Sequence, residues 1–205
     1  LVQGDSQKLV YLSVSEKPDE GSAKLVKKSS DAAVSGNSSY SLKGAVYGVY
    51  TDKDCTKKVK ELTTGDNGTS NTVTLSAGTY YVKEITAPKN FKKDGTVHTV
   101  KVESGKTATV NVTDTPEKTP FHVLKTSEDG GGMPVTGTVY TVYSDKACTK
   151  SVGTLTVGKD GKSNVLEVLY GTYYVKETKA AEGYALDTEV HTVECKSTSE
   201  AEIKL

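Results

Sequence analysis

Residues 78–84 read GTYYVKE, and residues 171–177 read GTYYVKE again. VYTDKDCTK at 49–57 returns as VYSDKACTK at 142–150, and HTV at 98–100 returns at 191–193. Glu84 and Glu177, Cys55 and Cys148, and His98 and His191 are all separated by 93 positions. A constant offset over so long a stretch means two copies of one folding unit of about 90–100 residues in tandem. The offset fails only near the start. Lys27 and Lys125 are 98 apart, because the first copy carries five extra residues within DAAVSGNSSYSLKG at 31–44. An insertion confined to a Gly-, Ser- and Asn-rich stretch belongs on the surface.

The copies meet at Thr115-Pro116-Glu117-Lys118-Thr119-Pro120, whose two prolines make a short, stiff linker. Residues 21–117 form the first module and residues 118–205 the second. Residues 1–20 stand outside the repeat; KLVYLSVSEKP reads as a final strand plus linker, the tail of a preceding module. The chain begins at Leu1 and carries neither a signal peptide nor a sorting signal, so it reads as a segment of something longer.

Within each copy, short alternating runs are separated by turn chemistry, the pattern of an all-β sandwich. In the first copy the runs predict strands near 22–28, 45–50, 58–63, 71–75, 79–85, 96–102 and 107–113. Gly65-Asp66-Asn67-Gly68, Ala87-Pro88-Lys89-Asn90 and Glu103-Ser104-Gly105 form turns between them. No run of about ten residues has helical periodicity. With two Phe, one Met and no Trp, the cores must be built from Val, Leu and Tyr. Lys plus Arg and Asp plus Glu both total 26, so there is no electrostatic footprint for nucleic acid or an anionic membrane. No window of about 18 apolar residues could span a bilayer. Cysteine is odd in number: Cys55, Cys148 and Cys195. Cys55 and Cys148 are expected as small, mostly buried residues, and a Cys148–Cys195 bridge stays open.

Alternation also says which polar side chains point inward. In SAKLVKKS, Ala23, Leu25 and Lys27 share a face; Phe121, Val123 and Lys125 are the matching row. A lysine continuing an apolar row is expensive unless it is paired or neutralised. Tyr80, Val82 and Glu84 share a face, as do Tyr173, Val175 and Glu177, and as do Ala108, Val110, Val112 and Asp114. Lys27, Glu84 and Asp114 thus aim at one interior from the first, a middle and the last strand. They form a buried ion triad, or else a one-residue register slip leaves all three in water.

Several segments, taken in order, resemble the Cna protein B-type (CnaB) domain of Gram-positive surface proteins and pilins. They are Lys27 within GSAKLVKKS, LKGAVYGVYTD at 42–52, LTTGDNG at 62–68, LSAGTYYVKEITAP at 75–88 and ATVNVTDTP at 108–116. The second copy repeats them as HVLKTSED, VTGTVYTVYSD, LTVGKDG, LYGTYYVKETKAAEGY and AEIKL. The resemblance covers residues 21–205. It implies two Ig-like or prealbumin-like β-sandwiches, each able to form a spontaneous isopeptide bond between first and last strands. Carried onto this chain, Lys27 is the nucleophile, Asp114 the electrophile and Glu84 the acid/base, although the family more often has Asn where Asp114 stands. Glu177 takes the matching position in the second module and Lys125 is an unpaired candidate. The position matching Asp114 is 207, two beyond Leu205, so the second module is expected to lack this crosslink within these residues. ITAPKNF at 85–91 superficially resembles the lysine motif by which pilins polymerise, but it aligns with the turn KAAEGY at 179–184, which argues against Lys89.

No metal site is expected, since His98 and His191 align with each other and His122 lies elsewhere. No Gly-rich loop opens a helix to cradle phosphate, and no cofactor is implied. The resemblance implies a monomeric, extracellular stalk or spacer, cell-wall anchored in its parent protein, whose partners are neighbouring modules. It would be no enzyme toward external substrates. The alternative is an adhesin domain binding a host protein or glycan through loops, with the 31–44 insertion the first place to look. The lack of Trp argues against a sugar platform.

Overall fold

A computed structural model describes Glu16, residues 19–127 and residues 134–205. The expected tail of a preceding module falls mostly outside these residues. Seven strands build the first copy: β1 (Glu20–Ser29), β2 (Val46–Tyr50), β3 (Lys58–Thr63), β4 (Val73–Ser76), β5 (Gly78–Thr86), β6 (Val97–Val102) and β7 (Thr107–Asp114). Seven build the second: β8 (Lys118–Leu124), β9 (Val139–Tyr143), β10 (Ser151–Thr156), β11 (Leu166–Leu169), β12 (Gly171–Lys179), β13 (Val190–Cys195) and β14 (Ala201–Lys204). Among the described residues the one helical element is a 3-10 turn, Ala32–Val34, inside the insertion.

Each copy packs a three-stranded sheet on a four-stranded one, ordered β4-β1-β7 and β3-β2-β5-β6 in the first and β11-β8-β14 and β10-β9-β12-β13 in the second. The inner rows anticipated from alternation are the buried ones. Ala23 and Leu25 meet Tyr47, Val49, Leu62, Val82 and Val112 in the first core. Phe121 and Val123 meet Tyr140, Val142, Leu155, Val175 and Cys195 in the second. Cys195 sits where the first copy has Val102, a small apolar residue in either case. The three cysteines are free, and Cys55 and Cys148 are not mostly buried but half-exposed. Both adopt a left-handed backbone at φ 55° in a turn whose amides are capped by Asp52 or Asp145. Packing does not fix these two cysteines, because the turn carries them away from the sheets.

Two local features position the polar residues. β1 and β7 are parallel, with Lys27 opposite Val112 and Ser29 opposite Asp114. Asp114 is therefore one same-face step beyond Lys27 on the neighbouring strand, within reach of a long side chain. Gly68, at φ 75°, brings the β3–β4 connection against β1, where its carbonyl accepts from Lys27 N at 2.8 Å. A Cβ at Gly68 would stand 2.4 Å from the Lys27 carbonyl oxygen, so only glycine fits there. Gly161 plays the same part against Lys125.

Candidate functional site

β1, β5 and β7 bring Lys27, Glu84 and Asp114 together between the sheets of the first module, and no side-chain surface of the three reaches solvent. Lys27 Nζ lies 2.8 Å from Glu84 Oε1 and 2.6 Å from Asp114 Oδ1. The carboxyl oxygens of Asp114 accept no hydrogen bond, so the amine approaches Oδ1 without hydrogen-bond geometry. Glu84 is held at both ends: Oε1 accepts from Lys27 and Oε2 accepts from Asp94 N at 2.7 Å.

A fourth residue, Tyr47, belongs to the cluster. Its hydroxyl accepts from Lys27 Nζ at 2.5 Å, and the amine lies 4.8 Å from the ring centroid. A β-bulge explains the placement. The β2–β5 register shifts between Val46 and Tyr47, leaving Ile85 as the extra residue and setting Tyr47 opposite Glu84. The second module repeats the device, with Glu177 opposite Tyr140 and a shift before Lys179. Tyr47 escapes motif matching because it reads as an ordinary core tyrosine. Its signal is its place on β2 in the buried row Ala45-Tyr47-Val49, two positions from Val49 and recurring as Tyr140.

Burial dominates the electrostatics. It pushes the Asp114 carboxyl up to about 6, with Lys27 pulling the other way and Glu84 adding to the rise. Burial and the neighbouring carboxylates of Asp114 and Glu84 also raise the Tyr47 phenol. Two carboxyl groups facing one amine in a dry interior are costly to keep ionised together, and burial moves Asp114 toward its protonated form.

The second module holds only part of this arrangement. Lys125 Nζ is 3.4 Å from Glu177 Oε2, Tyr140 donates to the same oxygen at 3.1 Å, and Lys125 is 19% exposed at its side chain. Glu200 and Glu202 instead bracket His122, at 2.8 Å from Nδ1 and Nε2. Asp187, Glu189 and His191 lie close together at the surface, whereas the first copy has Thr96 where Glu189 stands, so the grouping is no shared feature of the repeat. Lys89 is exposed on its turn.

The fold and the buried cluster together define a class: tandem prealbumin-like β-sandwiches with a Lys, a Glu and an Asp enclosed between the sheets of one module. A family model for the SpaA prealbumin-like fold domain matches residues 27–116 and again 119–205, and the chain belongs to that family. Among solved structures, the Bacillus anthracis TIE protein is 27% identical, with 91% of this chain matched to 34% of that one at a TM-score of 0.66. The chain thus spans about a third of that protein's length. A streptococcal ancillary pilin is 19% identical over 91% of this chain and 62% of its own, at a TM-score of 0.40. GBS52, the minor pilin of Streptococcus agalactiae, is 16% identical over 90% and 94%, at 0.37. A search of curated proteins finds no match.

Proposed function

We propose that the two modules are CnaB-type spacers in the stalk of a Gram-positive cell-wall adhesin or pilin, the first tied by an autocatalytic Lys27–Asp114 isopeptide bond. The observation that carries the reading is the fully buried approach of the Lys27 amine to within 2.6 Å of Asp114 Oδ1, a carboxyl that burial pushes toward its protonated form. Membership of the SpaA prealbumin-like family and the resemblance to Cna B-type domains support the setting.

The reaction needs a neutral amine facing a protonated acid. That state holds as many protons as the one with Lys27 charged and Glu84 ionised. It is reached by moving one proton across the 2.8 Å hydrogen bond from Lys27 to Glu84, without exchange with solvent. The lysine nitrogen then attacks the Asp114 carboxyl carbon. The C–N bond forms, the C–OH bond breaks, and the hydroxyl leaves as water with a proton delivered through Glu84. Packing, by holding the groups in contact, supplies the orientation that makes an unactivated condensation feasible. Tyr47 and Asp94 N position the amine and Glu84. The product exchanges two buried charges for one amide, removing the desolvation cost of an ion pair.

Glu84→Ala is expected to leave the purified chain at its full sequence mass, one water heavier than the reacted chain. An undiminished mass deficit in that variant would remove Glu84 from its role. The reactive cluster also carries one proton more than the state in which Asp114 is ionised. Chains refolded from denaturant should therefore form the bond more slowly as pH rises through about 6, the value to which burial brings Asp114. Quenched samples weighed over time check the sign, and a rate that climbs across that interval contradicts it.

The adhesin reading has less to stand on. Asn37 and Tyr40 of the insertion face the second module, and are not free for a host ligand.

A further inference from the structure

The first module's insertion and the second module's β11–β12 turn form an apolar cluster of their own, separate from both cores. Tyr40, Phe91 and Tyr170 are its buried members. The rings of Tyr40 and Tyr170 stack at 5.6 Å with 26° between planes, and Phe91 meets Tyr40 edge-on at 5.6 Å. Polar bonds close around the stack. Tyr170 N donates to Tyr40 OH at 2.8 Å, and Tyr40 OH donates to the Glu117 carbonyl at 2.6 Å. Asn37 Nδ2 donates to the Tyr170 carbonyl at 2.9 Å, and Tyr170 OH donates to Glu117 Oε2 at 2.9 Å. The linker itself is strapped down, because Glu117 N donates to the Asn90 carbonyl at 2.9 Å and Asn90 Nδ2 to the Ser39 carbonyl at 2.6 Å.

The two sides that meet here, Asn37 and Tyr40 on one module and Tyr170 on the other, are where the two copies stop being copies. Tyr40 and Asn37 lie in the segment that carries the first copy's five extra residues. Tyr170 occupies the position of Ala77, which is exposed in the first copy. Two departures from the repeat, 130 residues apart in sequence, meet face to face. A loop that merely tolerated extra residues would have no reason to find an aromatic waiting on the next module.

We infer that the insertion is a dedicated clasp: it docks on the Tyr170 edge of the following module, fixes the orientation of the pair and makes the tandem a single stiff strut. The surface is order-specific. The first module carries the insertion and the second carries the aromatic that receives it, whereas the first module offers only Ala77 at the receiving position. The connection, Thr115-Pro116-Glu117 with one proline, since Pro120 lies within β8, limits bending but does not by itself fix rotation about the chain. The aromatic stack and its bonds supply that restraint. The inference does not depend on the crosslink in the first module.

The test is residual dipolar couplings measured on the whole 205-residue chain, with one alignment tensor fitted to each module. The unmodified chain should give one shared tensor. Tyr170→Ala should give two of unequal magnitude while both modules keep dispersed spectra, since alanine is what the fold already carries at position 77. Tyr40→Phe, which keeps the ring and loses both hydroxyl bonds, should also separate the tensors, and serves if the alanine variant unfolds. Separate tensors in the unmodified chain, or a shared tensor that survives the folded variants, would overturn the clasp.

Discussion

Asp114→Ala is expected to lower the unfolding temperature of the first module by about 20–35 °C, while the second module's transition moves little. The lost bond would have closed a loop enclosing 86 residues, from Lys28 to Thr113. By the chain-entropy model developed for disulfides, such a closure is worth about 4–5 kcal/mol. In a domain of this size each kcal/mol moves the midpoint by roughly 4–8 °C. The alanine variant is the informative one because Lys27 keeps Glu84 at 2.8 Å and is not stranded as a lone buried charge. The loss then reports the covalent closure more than a broken salt bridge. Scanning calorimetry of variant and parent measures it. A fall of only a few degrees would mean that Lys27 and Asp114 form an ordinary ion pair.

Pulled by its two ends, the unmodified chain should show one unfolding event, from the second module, and the Asp114→Ala chain two. The geometry explains the difference. β1 and β7 are the first and last strands of the module, adjacent and parallel, so tension enters along one and leaves along the other. A bond between Lys27 and Asp114 would carry that force covalently, and the residues between them would never be stretched. Without it, they add about 300 Å of contour length at roughly 3.5 Å per residue. The second module is the internal control, because Lys125 has Glu177 but no aligned acceptor among these 205 residues. Single-molecule force spectroscopy reads the events directly. Two equal-sized events in the unmodified chain would show that the first module bears load no differently from the second.

Much of this is legible in the sequence. The repeat supplies the two modules, and period-two alternation puts Lys27, Glu84 and Asp114 on buried faces, because in a sandwich each strand has one inner row. The strand limits fall within two residues of those expected for the first copy. What could not be read depends on long-range geometry. Tyr47 joins the cluster through a bulge that sets it opposite Glu84, and a bulge leaves no mark in the alternation of β2. Asp94 contributes a backbone amide, which no side-chain pattern reveals. In sequence Cys55 and Cys148 read as small core residues, yet they sit in a left-handed turn outside the sheets. The insertion looked like a free binding loop because Tyr170, its partner, is 130 residues away from Tyr40 in sequence.

The most direct test is the intact mass of the folded, purified chain, followed by digestion. One water less than the sequence mass, with the Lys27 and Asp114 segments released as one branched peptide, is the expected outcome. A full sequence mass, with those segments released as separate linear peptides, would contradict the account and leave Lys27, Glu84 and Asp114 as a buried ion cluster in an uncrosslinked sandwich.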